Sequence, residues 1–262
     1  MKYFTSTLFT LLFSANMFAG NLKANFTYCT FNSPQDRPYL ETYLSVIGGS
    51  AIYTKTDQQT FQGKIEVTFI FRQGDKITSY KKYNLLSPEI SDSLSERVDF
   101  MDKQRIPLPN GTYEFEISIK DLNSANPPFT SSQILKIDYP NDKISISDIE
   151  LIESTKKSVK TNILTKSGYD IIPYTSDFYS EDFKKIAFYA EIYNADKFLG
   201  QNEDFLVSYF IESYEGNQVI SDYKSFNREK AKPVSILLKS FPIDQLPSGN
   251  YNLVIEVRNK TK

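Results

Sequence analysis

The phrase LPNGTYEFEISIKDLN, from Leu108 to Asn123, returns as LPSGNYNLVIEVRNKT, from Leu246 to Thr261. In the first copy Tyr113, Phe115, Ile117 and Ile119 alternate with Thr112, Glu114, Glu116 and Ser118. In the second, Tyr251, Leu253, Ile255 and Val257 alternate with Asn250, Asn252, Val254 and Glu256. A period of two belongs to a strand with one face buried and one face wet. A chain that writes the same half-buried strand twice must build two equivalent sheets to bury it.

The segment in front of each strand is a turn with a mechanism. In Leu108-Pro109-Asn110-Gly111 and Leu246-Pro247-Ser248-Gly249 the proline fixes φ, and the glycine is expected to supply a positive φ. Tyr113 and Tyr251 stand two residues after those glycines. They resemble the tyrosine corner of immunoglobulin-like sandwiches, whose hydroxyl bonds back to the preceding loop backbone. A second pair of phrases lies upstream. Gln73 to Lys81 (QGDKITSYK) matches Glu215 to Lys224 (EGNQVISDYK), and each follows a strongly β stretch, Ile65–Phe71 or Phe205–Ile211. Strand, glycine-containing turn and strand predict a hairpin in each half.

The copies stand 138 residues apart (246 against 108), about one β-sandwich domain. The expected fold is therefore all-β, with two tandem immunoglobulin-like or fibronectin-III-like sandwiches over 25–140 and 141–262. The boundary falls near Tyr139-Pro140-Asn141-Asp142, between an alternating strand at Gln133–Asp138 and a new β segment at Ile144–Ile152. A linker this short predicts domains packed on each other. The second half has no segment matching Gln133–Asp138. The second sandwich is thus expected to lack its last strand, and a truncated chain is favoured over completion by another polypeptide.

Composition excludes more than it assigns. Among 262 residues there is no His, which removes a Ser-His-Asp triad, a Cys-His pair and a His-ligated zinc site. There is no Trp, the best sugar-stacking aromatic, although 18 Tyr and 20 Phe remain. Thirty basic against 32 acidic residues give no excess to drive phosphate binding, so nucleic acid is not an expected partner. Cys29 is a lone cysteine and reads as a small buried apolar residue.

Residues 1–24 have the layout of a secretory signal peptide: Lys2, an apolar run from Leu8 to Phe13, then small and polar residues. Cleavage is expected near Ala19 or Ala24, although Met17 and Leu22 are large for position −3. No later stretch is apolar enough to span a bilayer. The exported chain is expected to be periplasmic, outer-membrane-associated or extracellular, without an integral membrane segment.

FNSPQDRPYLETYLSV, QGDKITSYKKYNLLSPE, IPLPNGTYEFEISIKDLN, GYDIIPYTSDFY and FNREKAKPV together resemble the amino-terminal half of bacterial GWxTD domain-containing proteins. The resemblance covers the chain after its leader. It implies an exported protein with β-sandwich modules ahead of a carboxy-terminal domain. With no Trp, the naming Gly-Trp-x-Thr-Asp motif is absent here. No catalytic residue carries over.

Asn194, Asp196, Asn202, Glu203 and Asp204 offer hard oxygen ligands, but the EF-hand pattern fails because Phe198 takes a ligand position and Gly200 comes one place late. A polar loop between two strands is the simpler reading. Glu181 and Asp182 are adjacent carboxylates, read as a turn. Arg228-Glu229-Lys230-Ala231-Lys232 is a balanced, solvated charge run. Asn-x-Thr at Asn25, Asn110 and Asn259 has no assigned role. Tyr189 and Tyr193 oppose Phe188 and Ile192 on one strand, and Tyr209 alternates with Phe210. Aromatics on both faces predict a second packing surface, read as the contact between the two sandwiches.

The expected function is a non-catalytic binding or scaffolding module of the bacterial envelope, with no cofactor and no metal. It would hold an envelope protein or position its own carboxy-terminal domain. An open sheet edge in the second domain could capture a partner by strand addition. The alternative is a glycan-binding accessory region of a secreted carbohydrate-active protein.

Overall fold

The computed structural model describes residues 15–19 and 21–259. Lys2 and the apolar run of the leader lie outside these residues, as does Thr261 of the third Asn-x-Thr site. The first half forms β1 (Ala15–Ala19), β2 (Leu22–Phe31), β3 (Tyr39–Val46), β4 (Tyr53–Lys55), β5 (Phe61–Gln73), β6 (Lys76–Leu86), β7 (Phe100–Pro107), β8 (Gly111–Asp121) and β9 (Phe129–Ile137). The second half forms β10 (Ser145–Ile146), β11 (Glu150–Lys157), β12 (Thr165–Lys166), β13 (Tyr169–Pro173) and β14 (Lys185–Tyr193). The short helix α1 (Ala195–Leu199), β15 (Asp204–Ser213), β16 (Val219–Lys230), β17 (Val234–Pro242) and β18 (Tyr251–Asn259) complete it. Among the described residues no helix is long and apolar enough to cross a membrane.

The strands make four antiparallel sheets stacked face to face. The first outer sheet runs β4-β5-β8-β9, with β6 also pairing β5; the first inner sheet runs β1-β2-β3-β7. Between them sit Phe26, Leu40, Leu44, Val67, Phe69, Phe71, Phe115 and Ile117. Phe71 and Phe115 stack at 4.7 Å and 4°. Each buried aromatic of this kind contributes about 1.5–3 kcal/mol. The second inner sheet runs β10-β14-β11-β13-β12 with β17 on the other side of β14, and the second outer sheet runs β16-β15-β18. Phe188, Ala190, Ile192, Phe205, Val207, Tyr209, Leu237 and Ile255 fill that pair.

Strand order repeats as well as sequence. β2-β3-β7 in the first half corresponds to β10/β11-β14-β17 in the second, and β6-β5-β8 corresponds to β16-β15-β18. Two differences break the repeat. β9 pairs β8 from Gly111↔Ile137 to Ile119↔Phe129, whereas the same edge of β18 has no partner strand among the described residues. The second half also carries a hairpin, β12–β13, between its first two long strands.

β2 begins at Leu22, ahead of the boundary at residue 25 drawn from sequence. Leu22 and Ala24 share the inward face with Phe26 and are buried in the first core. Tyr139 in the linker is buried too, so the joint between the halves is packed.

Candidate functional site

Both tyrosine corners close on the carbonyl of the turn proline. The Tyr113 hydroxyl donates to Pro109 O at 2.8 Å, and the Tyr251 hydroxyl donates to Pro247 O at 2.8 Å. Leu108 is buried, and Leu246 packs against the second core. The expectation for the glycines is corrected: neither Gly111 nor Gly249 adopts positive φ. Their smallness serves the tyrosine ring, which folds back over them. A Cβ on Gly249 would stand 3.2 Å from Tyr251 Cζ, and one on Gly111 would stand 3.4 Å from Tyr113 Cε2. Tyr113→Phe is expected to cost about 1 kcal/mol, the net value of one hydrogen bond. Tyr251→Phe should cost less, because that ring is half-exposed. Urea midpoints of the two variants check this. The corners are structural and bring no reactive group together.

The largest polar constellation lies where the two inner sheets meet. β3 is buried on both faces: Leu40 and Leu44 point into the first core, while Glu41 and Tyr43 point at the second sandwich. There Glu41, fully buried, meets three cations. Its Oε1 accepts from Lys166 Nζ at 2.5 Å and from the Tyr43 hydroxyl at 2.5 Å, and its Oε2 accepts from Arg105 Nε at 2.6 Å. Lys103 Nζ lies 3.0 Å from Oε1, close in charge but off the hydrogen-bond direction. Lys166 Nζ also donates to Glu150 Oε2 at 2.6 Å and sits 3.8 Å from the centre of the Phe31 ring. Cys29, Phe31, Tyr43, Ile152, Ile171 and Tyr189 form the apolar surround.

Lys166 is delivered by the β12–β13 hairpin, which has no counterpart between β2 and β3, the equivalent place among the described residues of the first half. Its two-residue turn, Ser167-Gly168, has φ of 53° and 85°, the pattern of a type I′ hairpin turn. Arg105 holds the base of this hairpin by donating to Thr165 O at 3.2 Å. Two smaller networks flank the ions. Tyr189 and Tyr193 donate to Glu191 at 2.5 and 2.7 Å, and Asn32 N donates to the Tyr193 hydroxyl at 2.9 Å. Asp148 Oδ2 accepts from Thr30 N and Thr30 Oγ1, both at 2.7 Å, while the Tyr139 hydroxyl donates to Thr30 O at 2.6 Å.

Burial alone would raise the Glu41 pKa, but the ammoniums of Lys166 and Lys103 and the Arg105 guanidinium hold it at about 2. Burial likewise opposes the charge on Lys166, and Glu150 and Glu41 outweigh it, raising that pKa. Lys103 is lowered because burial dominates there. For Glu41 the folded pKa lies below its ordinary 4.5. Its contribution is therefore complete above 4.5 and lost as pH falls through about 2; the shift corresponds to about 3 kcal/mol. Asp148 works in the opposite sense: burial raises its pKa above 3.8, so its protonation favours the folded state. The stability difference between wild type and Glu41→Gln should thus hold steady from pH 7 to about 5 and shrink below 4.5. Urea melts across that range measure it.

The other candidates from sequence do not converge on a site. Asn194 Nδ2 donates to Pro140 O and Lys143 O, Lys197 Nζ donates to Asn194 Oδ1, and Asp204 pairs with Lys230. Among the described residues no group of three or more His, Cys, Asp or Glu is placed to hold a metal ion. Glu181 and Asp182 occupy a turn before β14; Asp182 lines an open groove of about 490 Å³ with Ile152, Phe183 and Phe241. Tyr189 and Tyr193 do face the first sandwich, and Phe188 and Ile192 face the second core. Phe210 lies on the outer face of its sheet, under Lys224.

The sequence reading missed Glu41 and Lys166. One signal was present for each: a carboxylate inside a strand apolar on both faces, and a Ser-Gly turn after a lysine. No family model matches the chain, and no curated protein matches it either.

Proposed function

We propose that the chain is a non-catalytic, exported binding and scaffolding module of a bacterial cell envelope, of the kind found ahead of the carboxy-terminal domain in GWxTD domain-containing proteins. In this reading the two sandwiches are immunoglobulin-like or fibronectin-III-like. They form one rigid arm that positions a downstream domain or holds an envelope protein. The observation that carries it is the seam between the inner sheets. The most polar constellation in the described chain is turned inward, with the side chains of Glu41, Lys103, Glu150 and Lys166 at most 5% exposed. A substrate has no access to groups placed there. What they can do is fix one sandwich against the other, which a positioning module requires and a hinge does not.

The experiment is expression from the native start in a bacterial host, osmotic-shock fractionation and sequencing of the mature amino terminus. The chain is expected outside the cytoplasm, cut near Ala19 and ahead of Leu22. A cut after Ala24 would remove Leu22 and Ala24, both buried in the first core. Retention in the cytoplasm with Met1 in place would sink the reading. Purified mature chain is expected to retain nothing on a glycan array; clear glycan retention would move the assignment to a glycan-binding accessory region.

A further inference from the structure

We propose that the loop between β11 and β12, residues 158–164, docks the protein on an anionic lipid surface. Val159 and Ile163 enter the boundary of the bilayer, while Lys156, Lys157 and Lys160 meet its phosphate headgroups. The inference goes beyond the binding and scaffolding reading, which requires no membrane.

This loop reverses the usual order of a surface turn. Its aliphatic side chains point outward: Val159 is fully exposed and Ile163 is 52% exposed, with Tyr169 of β13 exposed beside them. Its polar side chains are turned onto the loop itself. Asn162 Oδ1 accepts from Leu164 N at 2.8 Å, and Asn162 N donates to Thr165 Oγ1 at 2.9 Å. Asp170 Oδ1 accepts from Thr165 Oγ1 at 2.7 Å and from Asn162 Nδ2 at 3.1 Å. Ser158 Oγ donates to Lys160 O at 3.1 Å. The base of the loop is fixed as well. Arg105 of the first sandwich holds Thr165 O, and Lys166 is locked between Glu41 and Glu150. The tip is therefore a braced extension of both sandwiches, and it holds two aliphatic side chains in water.

Charge says what the tip meets. Residues 154–169 contain four lysines and no Asp or Glu. Lys166 belongs to the seam, and Lys156, Lys157 and Lys160 are exposed. Of the carboxylates on β11 and β13, Glu150 is taken by Lys166, Asp170 by Thr165 and Asn162, and Glu153 lines the groove beside Phe183. Lys156 stands opposite Asp170 in the ladder, whereas Lys157 stands opposite Tyr169. The repeat supplies the contrast. The first half joins β2 to β3 through residues 32–38, NSPQDRP, with no lysine and no large apolar residue, and its Asp36 pairs with Arg37 at 3.6 Å. A convex tip of two aliphatic side chains is too small for a protein interface, which takes about 800 Å² from each partner. A bilayer needs no matching cavity. It takes in aliphatic side chains at the depth where lysine ammoniums, on long apolar stems, reach lipid phosphates.

The purified chain is floated at low salt with vesicles of phosphatidylcholine alone, and with vesicles of phosphatidylcholine and phosphatidylglycerol in equal parts. It is expected to rise with the mixed vesicles only. Replacing Lys156, Lys157 and Lys160 together by Gln should weaken that binding by at least about twentyfold, roughly fivefold for each of the two lysines with no carboxylate opposite. Val159→Ser with Ile163→Ser should weaken it by about tenfold. The chain has no Trp, so Val159→Trp places a sole reporter at the tip. Its emission should shift to the blue on the mixed vesicles and be quenched by brominated acyl chains. Leu94→Trp, at a position 95% exposed in the first sandwich, should not respond. No binding to the mixed vesicles overturns the proposal. Binding that survives the lysine or the serine replacements overturns it too, as does an equal response from Leu94→Trp. A blue shift of Val159→Trp with soluble polyglutamate, matching that on vesicles, also overturns it and moves the site to an acidic protein partner. Export is judged separately by fractionation, whatever the vesicles show.

Discussion

Lys166→Ala is expected to destabilise the protein by about 3–5 kcal/mol, the cost of stranding buried charges after one partner is removed. The variant loses the ammonium shared by Glu41 and Glu150, neither of which can reach water. For a chain of this size that corresponds to a melting point lower by on the order of 10 °C. The surface pair Arg258–Glu256, with Arg258 at 52% exposed, provides the contrast, and Arg258→Ala should cost under about 1 kcal/mol. Replacing Glu41, Glu150, Lys103 and Lys166 together by Gln, Gln, Met and Met should recover much of the loss, because no buried charge is then unpaired and Arg105, at 36% exposed, keeps access to water. Differential scanning calorimetry compares the three. If Lys166→Ala behaves like Arg258→Ala, the ionic seam does not hold the sandwiches together.

The same truncation at equivalent points of the repeat should give unequal losses. Phe115 is fully buried, stacked on Phe71 at 4.7 Å and edge-on to Phe69 at 5.7 Å, so Phe115→Ala is expected to cost about 3–5 kcal/mol. Leu253 holds the corresponding place on β18 and is half-exposed, so Leu253→Ala should cost under about 2 kcal/mol. Urea titrations followed by tyrosine fluorescence and far-UV circular dichroism measure both. Equal losses would mean that the β18 edge is covered in solution.

The repeated Leu-Pro-x-Gly-x-Tyr strand was legible because everything it needs is local. Alternation fixes which side chains face inward, proline shapes the turn, and the tyrosine reaches a carbonyl four residues back. The hairpins at Gly74 and Asn217 were legible for the same reason, since left-handed turn residues announce themselves. The role of the repeat glycines was not legible. Sequence offers conformational freedom as the reason for a glycine, whereas the ring that lies over Gly249 is visible only when the turn is closed.

The sequence by itself determined the all-β character, the duplicated strand order and the two corners, because period and turn chemistry act over a few residues. Only the tertiary structure decided that Glu41 and Lys166, 125 positions apart, share a proton-bearing contact. That meeting depends on how two sheets stack and on a hairpin that has no counterpart between β2 and β3. The outward face of a strand carries no local sign of the surface that will cover it.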